Sequence, residues 1–537
     1  MKKSITVIFL VLFVAMNNPF SVMAQVMFQN EYSPVMAGSF VIAPLEDGYL
    51  VAGSAETSTA GGIDGFVMKI NFAGACLWSR VYGGTKDDRF FSIYKTHNGN
   101  YVLSGITTSF VNSSADPSNI YLVEIDTSGS VIWSKSLGTL NTDIAYSVKE
   151  TSDHGLIIAG TTDSAGYISA YLIKTDSLVN IQWSHIYSNP AYDVIIARAV
   201  VQTSDGGYAF TGYSTLSTAA VDTNMFIVKT DSNGVINLST HYFFTDSAHY
   251  TQRCAYGYDI IQNAAGHLVI VGGVGGYYFS PGFYPYSPLL METDINGTVF
   301  NSKSFFLNSG DCRSFSVQQT TDGGYILGGF MGNVFLSMIK TDSAITTQWC
   351  YHYDESYNPM SIGYCARLTS DGGFILSGCL WLGTSIRIVK TNSEGISGCE
   401  QAVPIGGGGI SGNISLASLI SPWSYINNAD TVTASTISNN ISVSTDVICS
   451  NVGVDDLTNT ELLNIYPIPA KDNITIEISA NRTQSQLTIL NLNGKEILTR
   501  QITESKTLID ISTLPSGVYV VKVVGEKGVQ VGKFIKQ

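Results

Sequence analysis

Charge is scarce in this chain: only 13% of its 537 residues are Asp, Glu, Lys or Arg. The basic residues are scarcer still, 28 against 42 acidic ones, for a net charge of −14. Nucleic-acid binding needs a basic footprint and docking on anionic lipid needs clustered Lys or Arg, so both classes are excluded. Cysteine is sparse as well. Eight in so long a chain cannot form the framework of the fold. There is no CxxC or Cys/His cluster with zinc spacing, and none of the seven His lies in an HExxH pair. A GxSxG elbow and a P-loop are both lacking. No metal or cofactor is expected from these motifs, and no catalytic residue is assigned.

Apolar residues and glycine are abundant. Hydrophobic residues make up 45% of the chain and Gly contributes 52 positions. That balance is foreign to disorder and suits an all-β protein with many tight turns.

The N-terminus reads as a targeting segment. Lys2 and Lys3 precede an apolar run, Ile5 to Ala15, and Val22-Met23-Ala24 supplies small residues before Gln25, the expected mature start. The run is too short to span a bilayer, and no later segment is long and apolar enough. The first cysteine is Cys76, which excludes a lipoprotein. Export permits disulfides. Cys399 with Cys449 and Cys365 with Cys379 are the candidate pairs, with free buried thiols as the alternative for both.

An internal repeat dominates the sequence. Ser204-Asp205-Gly206-Gly207-Tyr208 followed by Gly212 recurs around Tyr49 and Gly53, Tyr101 and Gly105, Leu156 and Gly160, Leu268 and Gly272, Tyr325 and Gly329, and Phe374 and Gly378. The period is about 54 residues and gives seven copies. Each copy reads as four strands. A two-residue Asp-Gly or Gly-Gly connection joins the first two, and a second turn such as Asp231-Ser232-Asn233-Gly234 joins the last two. Trp78, Trp133, Trp183 and Trp349 fall on fourth strands, as packing residues between copies. This pattern predicts a seven-bladed β-propeller over residues 25–395. Residues 26–32 resemble the fourth-strand run Leu77 to Gly83, so they are expected to supply the outer strand of the last blade and leave no open edge. Residues 397–403 are the alternative for that strand.

The long connections all emerge on one face, where binding is expected. Tyr277 to Pro288 holds Tyr278, Phe283, Tyr284 and Tyr286. A neighbouring inter-blade loop holds Tyr353 and Tyr357. These six are the candidate ligand-binding residues, for a sugar ring or a peptide, with packing of one loop on another as the competing reading. Asp88, Asp143, Asp193 and Asp311 recur just before first strands. They suit either a calcium-binding ring or a turn-stabilising acid copied with the repeat. Asp126-Thr127-Ser128-Gly129 before Trp133 resembles the docking motif of quinoprotein propellers. Its interval is one residue short, Ser128 replaces the usual Thr, and several copies lack the Trp.

After Gly395 the composition changes. Residues 396–460 form a Ser/Asn/Gly-rich segment with strand-like alternation at Thr431-Val432-Thr433 and Ile441-Ser442-Val443. From Leu462 seven short strands are expected, enough for a small immunoglobulin-like β-sandwich over residues 461–537. Asn464-Ile465-Tyr466-Pro467-Ile468-Pro469-Ala470, Leu492-Asn493-Gly494-Lys495, Leu514 to Lys522 with Gly517 and Tyr519, and the closing Lys533-Phe534-Ile535-Lys536 carry a family pattern. It resembles the type A sorting domain of the type IX secretion system of Bacteroidota, with Ile468 where that family usually has Asn. Residues 1–24 are read as a signal peptide, and the resemblance implies inner-membrane export, passage across the outer membrane by the type IX machinery, and removal of the sorting domain by its sortase. The product is then released or attached at the cell surface. The expected function is a non-enzymatic glycan- or protein-binding module. A polysaccharide hydrolase or lyase and a structural surface protein are the alternatives.

Overall fold

The computed structural model describes residues 26–33, 41–57, 62–111, 117–164, 166–215, 223–245, 252–275, 277–279, 282–284, 286–305, 311–332, 335–353, 361–380, 385–397, 403–404, 415–420, 424–427, 431–432, 437–440, 444–452, 463–477, 485–491, 496–525 and 528–537. The targeting segment, Tyr357, the Asn493-Gly494 turn and Cys399 lie outside them. Every regular element among them is a β-strand, and no helix is long and apolar enough to cross a membrane. The chain divides into Gln25–Val452 and a C-terminal unit beginning at Gly453.

In the larger unit each repeat is an antiparallel meander. Meander A covers 41–83, B 88–137, C 143–188, D 194–245, E 252–304, F 313–352 and G 361–391, each called a sheet below; short pairings, Ile168 with Val194 and Phe244–Thr245 with Gln252–Arg253, also link C to D and D to E. Sheet G has only three strands of its own, and its fourth is Val26–Ser33, paired antiparallel to Ile386–Thr391. Side chains fix that strand in place: Gln29 donates to the Ser397 hydroxyl at 2.8 Å, and Glu31 pairs with Arg387 at 3.3 Å.

Alternating apolar residues point from both faces of each sheet, so each sheet needs a partner on either side. Leu50 and Val67 of sheet A meet Leu103 and Val123 of B. Val102 of B meets Ile158 of C, Leu172 of C meets Phe226 of D, and Ile227 of D meets Ile270 of E. Leu290 of E meets Leu327 of F, and Met338 of F meets Leu376 of G. Ile375 and Ile388 of G then meet Val51 and Met68 of A, so the last sheet packs on the first. Trp78 covers Gly129 of the next sheet, and Trp183 donates to the Ser232 carbonyl at 3.1 Å. These tryptophans pack between sheets, as the sequence pattern implies.

Three details sharpen or correct the sequence reading. The first turns are longer than two residues: Thr203–Gly207 connects Gln202 to Tyr208, with Gly206 at φ +83° and Gly207 so close to the Thr230 carbonyl that a Cβ would not fit. Cys365 and Cys379 are free and buried, because Cys365 faces Ser377 while Cys379 faces Ile362. Finally, residues beyond 402 add strands to the meanders. Val403–Pro404 lies on sheet F, Ser415–Ile420 on D, Ser424–Asn427 on C, Thr431–Val432 on B, Ile437–Asn440 on A and Ser444–Val452 on G. The described strands of this segment thus follow F, D, C, B and A and then G, as an outer belt covering strand edges that would otherwise stay unpaired.

The C-terminal unit contains the seven expected strands in two sheets. One pairs Asn464–Tyr466, Asn473–Glu477 and Lys506–Asp510. The other orders Glu496–Ile502, Ser485–Asn491, Gly517–Gly525 and Gly528–Lys536. Ile474, Ile476 and Ile509 of the first share a core with Leu487, Ile489, Val521 and Phe534 of the second.

Candidate binding site

The repeated glycine of the second strand builds the site. Opposite it, the first strand breaks register, between Phe90 and Ser92, Ala145 and Ser147, Ala197 and Ala199, Gly257 and Asp259, Ser314 and Ser316, and Gly363 and Cys365. At each break a carbonyl presses onto the glycine: a Cβ on Gly212 would lie 1.7 Å from the Ile196 oxygen, and one on Gly272 1.7 Å from that of Tyr256. Only glycine tolerates this approach. Each break is a β-bulge, which leaves one residue unpaired and re-aims its side chain.

The residues that these breaks leave out of the strand ladder are Phe91, Tyr146, Arg198, Tyr258, Phe315 and Tyr364, one from each of sheets B to G. They form a continuous chain of contacts. The Phe91 and Tyr146 rings are 5.6 Å apart. The Arg198 guanidinium lies 4.5 Å from the Tyr146 ring and 5.6 Å from that of Tyr258. Tyr258 meets Phe315 at 4.7 Å, and Phe315 meets Tyr364 at 5.4 Å. All six are half-buried.

A second tier adjoins Tyr258. Tyr256 stacks on it at 6.0 Å, and Tyr213 meets Tyr256 edge-on at 4.9 Å. Arg313 lies over the Tyr286 ring at 4.2 Å and donates to the Tyr258 hydroxyl at 3.1 Å. Burial raises the Tyr258 hydroxyl, and the pull of Arg313 and Arg198 in the other direction does not cancel it. Burial also raises Tyr213 and Tyr286. The phenols are therefore neutral donors beside two cations. Among the described residues Arg198 forms no ion pair, while Arg313 approaches Asp311 at 4.0 Å. Planar faces, neutral hydroxyls and a guanidinium without a carboxylate partner form a surface suited to a ring-shaped anionic ligand.

Of the candidate residues from sequence, Tyr286 belongs to this cluster. Tyr278, Phe283 and Tyr284 lie in a two-stranded hairpin, Tyr277–Phe279 against Gly282–Tyr284; their side chains lie outside the described residues. Tyr353 does not face a ligand: it is 1% exposed, and its hydroxyl donates to the Gly395 carbonyl at 2.9 Å. Arg198, Tyr146 and Tyr258 were not singled out from sequence, although their offset from the repeat glycine is readable there. Asp88 accepts from Gly84 N–H and the Ser109 hydroxyl, Asp143 from Thr139 N–H, and Asp311 from Tyr286 N–H. Each thus holds a nearby loop, the role of a turn-stabilising acid. At the far ends of the first strands, His97, Glu150 and His154 come together in a way their separation in sequence conceals.

In the C-terminal unit, the sorting-motif residues tie the ends of the sandwich together. Pro467 and Pro469 both follow cis peptide bonds. Ala470 N–H donates to the Ile535 carbonyl at 2.8 Å. Tyr519 stacks on Phe534 at 5.4 Å and donates to the Pro515 carbonyl. Gly517 pairs with Lys536, Lys522 with Val531 and Val520 with Lys533. Gly494 lies outside the described residues.

Residues 464–537 match the family of the secretion system C-terminal sorting domain. The match supports a secreted protein of the Bacteroidota type and implies the type IX machinery. No curated protein matches the chain. Among solved structures, it resembles a polysaccharide lyase described as PL25-Ulvanlyase, at 8% identity and TM-score 0.43, covering 69% of this chain and 96% of the other. It also resembles Chaetomium thermophilum Sqt1, at 12% identity and TM-score 0.38, covering 67% and 83%. An exo-beta-1,3-galactanase from Clostridium thermocellum matches at 11% identity and TM-score 0.27, covering 66% and 83%.

Proposed function

We propose that residues 25–452 form a seven-bladed β-propeller, closed by Val26–Ser33, that binds an anionic glycan without turning it over. A shared core between every successive pair of sheets, including G on A, supports the closed ring. The sorting domain delivers this module through the type IX secretion system to the cell surface or the medium, after removal of signal peptide 1–24. The observation that carries the binding assignment is Arg198, held between Tyr146 and Tyr258. A uronate or sulfate group accepts from the guanidinium while the sugar ring stacks on tyrosine.

The test is a glycan-array screen with the mature chain, followed by assays for new reducing ends and for unsaturated products on every hit. Saturable binding to acidic glycans without product supports the proposal. Product formation establishes the hydrolase or lyase alternative. No glycan binding leaves a protein ligand or a structural role.

A further inference from the structure

His97, Glu150 and His154 come from adjacent sheets. His97 lies in the first turn of sheet B, Glu150 ends the first strand of sheet C, and His154 lies in the turn that follows it. The His97 Nδ1 is 2.5 Å from Glu150 Oε1, and the His154 Nδ1 is 3.8 Å from the same oxygen. The two imidazoles are 3.8 Å apart, centroid to centroid. All three ligand atoms fall within 4.8 Å of one another.

The other repeats show how unusual this trio is. At the position of His154, five copies carry glycine (Gly99, Gly206, Gly266, Gly323 and Gly372), each at φ between +80° and +87°. His154 adopts φ +62° there, a conformation L residues rarely take. At the position of Glu150, three copies carry glutamine. Gln202, Gln262 and Gln319 each accept one backbone N–H from the preceding sheet, at 2.7, 2.8 and 2.9 Å. Glu150 Oε2 makes that same bond, to His97 N–H at 2.8 Å, which leaves Oε1 facing the imidazoles. His97 stands where Ser152, Ser204, Ala264, Thr321 and Ser370 stand in the others. Three departures from the repeat therefore converge on one point, and each supplies a metal-ligating atom.

We propose that His97, Glu150 and His154 bind a borderline divalent cation of the zinc class, which joins sheets B and C. Two imidazole nitrogens and one carboxylate oxygen are its preferred donors. Metal–ligand bonds of about 2.0–2.2 Å set tetrahedral donor atoms roughly 3.4 Å apart, so side-chain shifts of under about 1 Å close the site. The His side chains are 52% and 53% exposed and free to make that movement, whereas Glu150 is 11% exposed and anchored by its bond to His97 N–H. The exposed side leaves the fourth position to water or to a group from outside the chain.

The test is calorimetric titration of the chelator-stripped, tag-free mature chain with zinc chloride. The variants His154→Gly, His97→Ser and Glu150→Gln each install the residue another repeat already carries, so the fold is retained. His267→Ala, which removes a separate histidine 3.2 Å from Glu292, is the control. One saturable equivalent is expected for the wild type and the control. Each of the three variants is expected to weaken binding about tenfold or more. Zinc should also raise the melting temperature of the wild type but not of His154→Gly. No saturable binding by the wild type, or undiminished binding by His154→Gly, would overturn the proposal.

Discussion

The Tyr82 hydroxyl donates to the carbonyl oxygen of Gly129 in the next sheet at 2.8 Å. The same bond joins Tyr32 to Gly74, Tyr187 to Gly234, Tyr242 to Gly297 and Tyr353 to Gly395. Tyr32 to Gly74 runs from the N-terminal strand in sheet G to sheet A, so the closing junction uses the same device as the others. Two junctions lack the tyrosine and have Leu137 and Phe305 instead. There the partner turns carry Val179 and Ile345, also at positive φ, and the polar pair becomes an apolar contact.

Replacing Tyr82 with Phe removes one buried bond and leaves the Gly129 carbonyl unpaired. The expected loss is about 1–3 kcal/mol, measured by denaturant unfolding. Leu137→Ala instead opens a cavity against Val179, and should cost about 2–5 kcal/mol.

Gly212→Ala should be among the most damaging single changes. Its Cβ would meet the Ile196 oxygen, so the bulge must flatten or the strands part, at roughly 3 kcal/mol or more. Gly206→Ala changes only a positive-φ turn with open space around it, and should cost about 1–2 kcal/mol. Equal melting points for the two variants would contradict this reading of the repeat glycine.

Acid should weaken the fold through the turn aspartates. Partial burial favours protonation of Asp153, Asp205 and Asp322. The bonds from Lys174, Lys229 and Lys340, with turn hydroxyls and N–H groups, outweigh it and hold all three at about 2. A depressed carboxyl contributes stability that is fully present above its unfolded value of about 3.9. That contribution is lost as pH falls from about 4 toward 2. Unfolding midpoints measured across that window should decline, and Lys229→Met should flatten the decline.

Much of this fold was legible in advance because its determinants are local. Alternation set the strands, and Val26–Ser33 was recognisable as an orphan fourth strand. The sorting motif marked its own sandwich. The belt was harder to read, since residues 403–452 have no period of their own and take their register from strands far away in sequence. Sequence does not separate the two roles of Tyr353, because a tyrosine beside a long loop reads the same whether it faces solvent or a buried carbonyl. Arg198 is hidden in the sequence because the glycine that creates its bulge also looks like an ordinary repeat residue. His97 and His154 meet only because equivalent turns of adjacent sheets lie side by side.

Deleting residues 403–452 should expose outer strand edges in sheets A, B, C, D, F and G. Lower thermal stability and concentration-dependent association are expected, read by melting and light scattering. An unchanged, monomeric protein would show that the belt covers nothing the fold requires.

The most direct test of the binding assignment is titration of the mature chain with a polyuronate, comparing the wild type with Arg198→Gln. Glutamine removes the charge and keeps a polar side chain at the bulge. Saturable binding that weakens with added salt, and falls about tenfold or more in the variant at unchanged melting temperature, is the expected result. Equal affinity of the two proteins for the polyuronate would contradict the assignment.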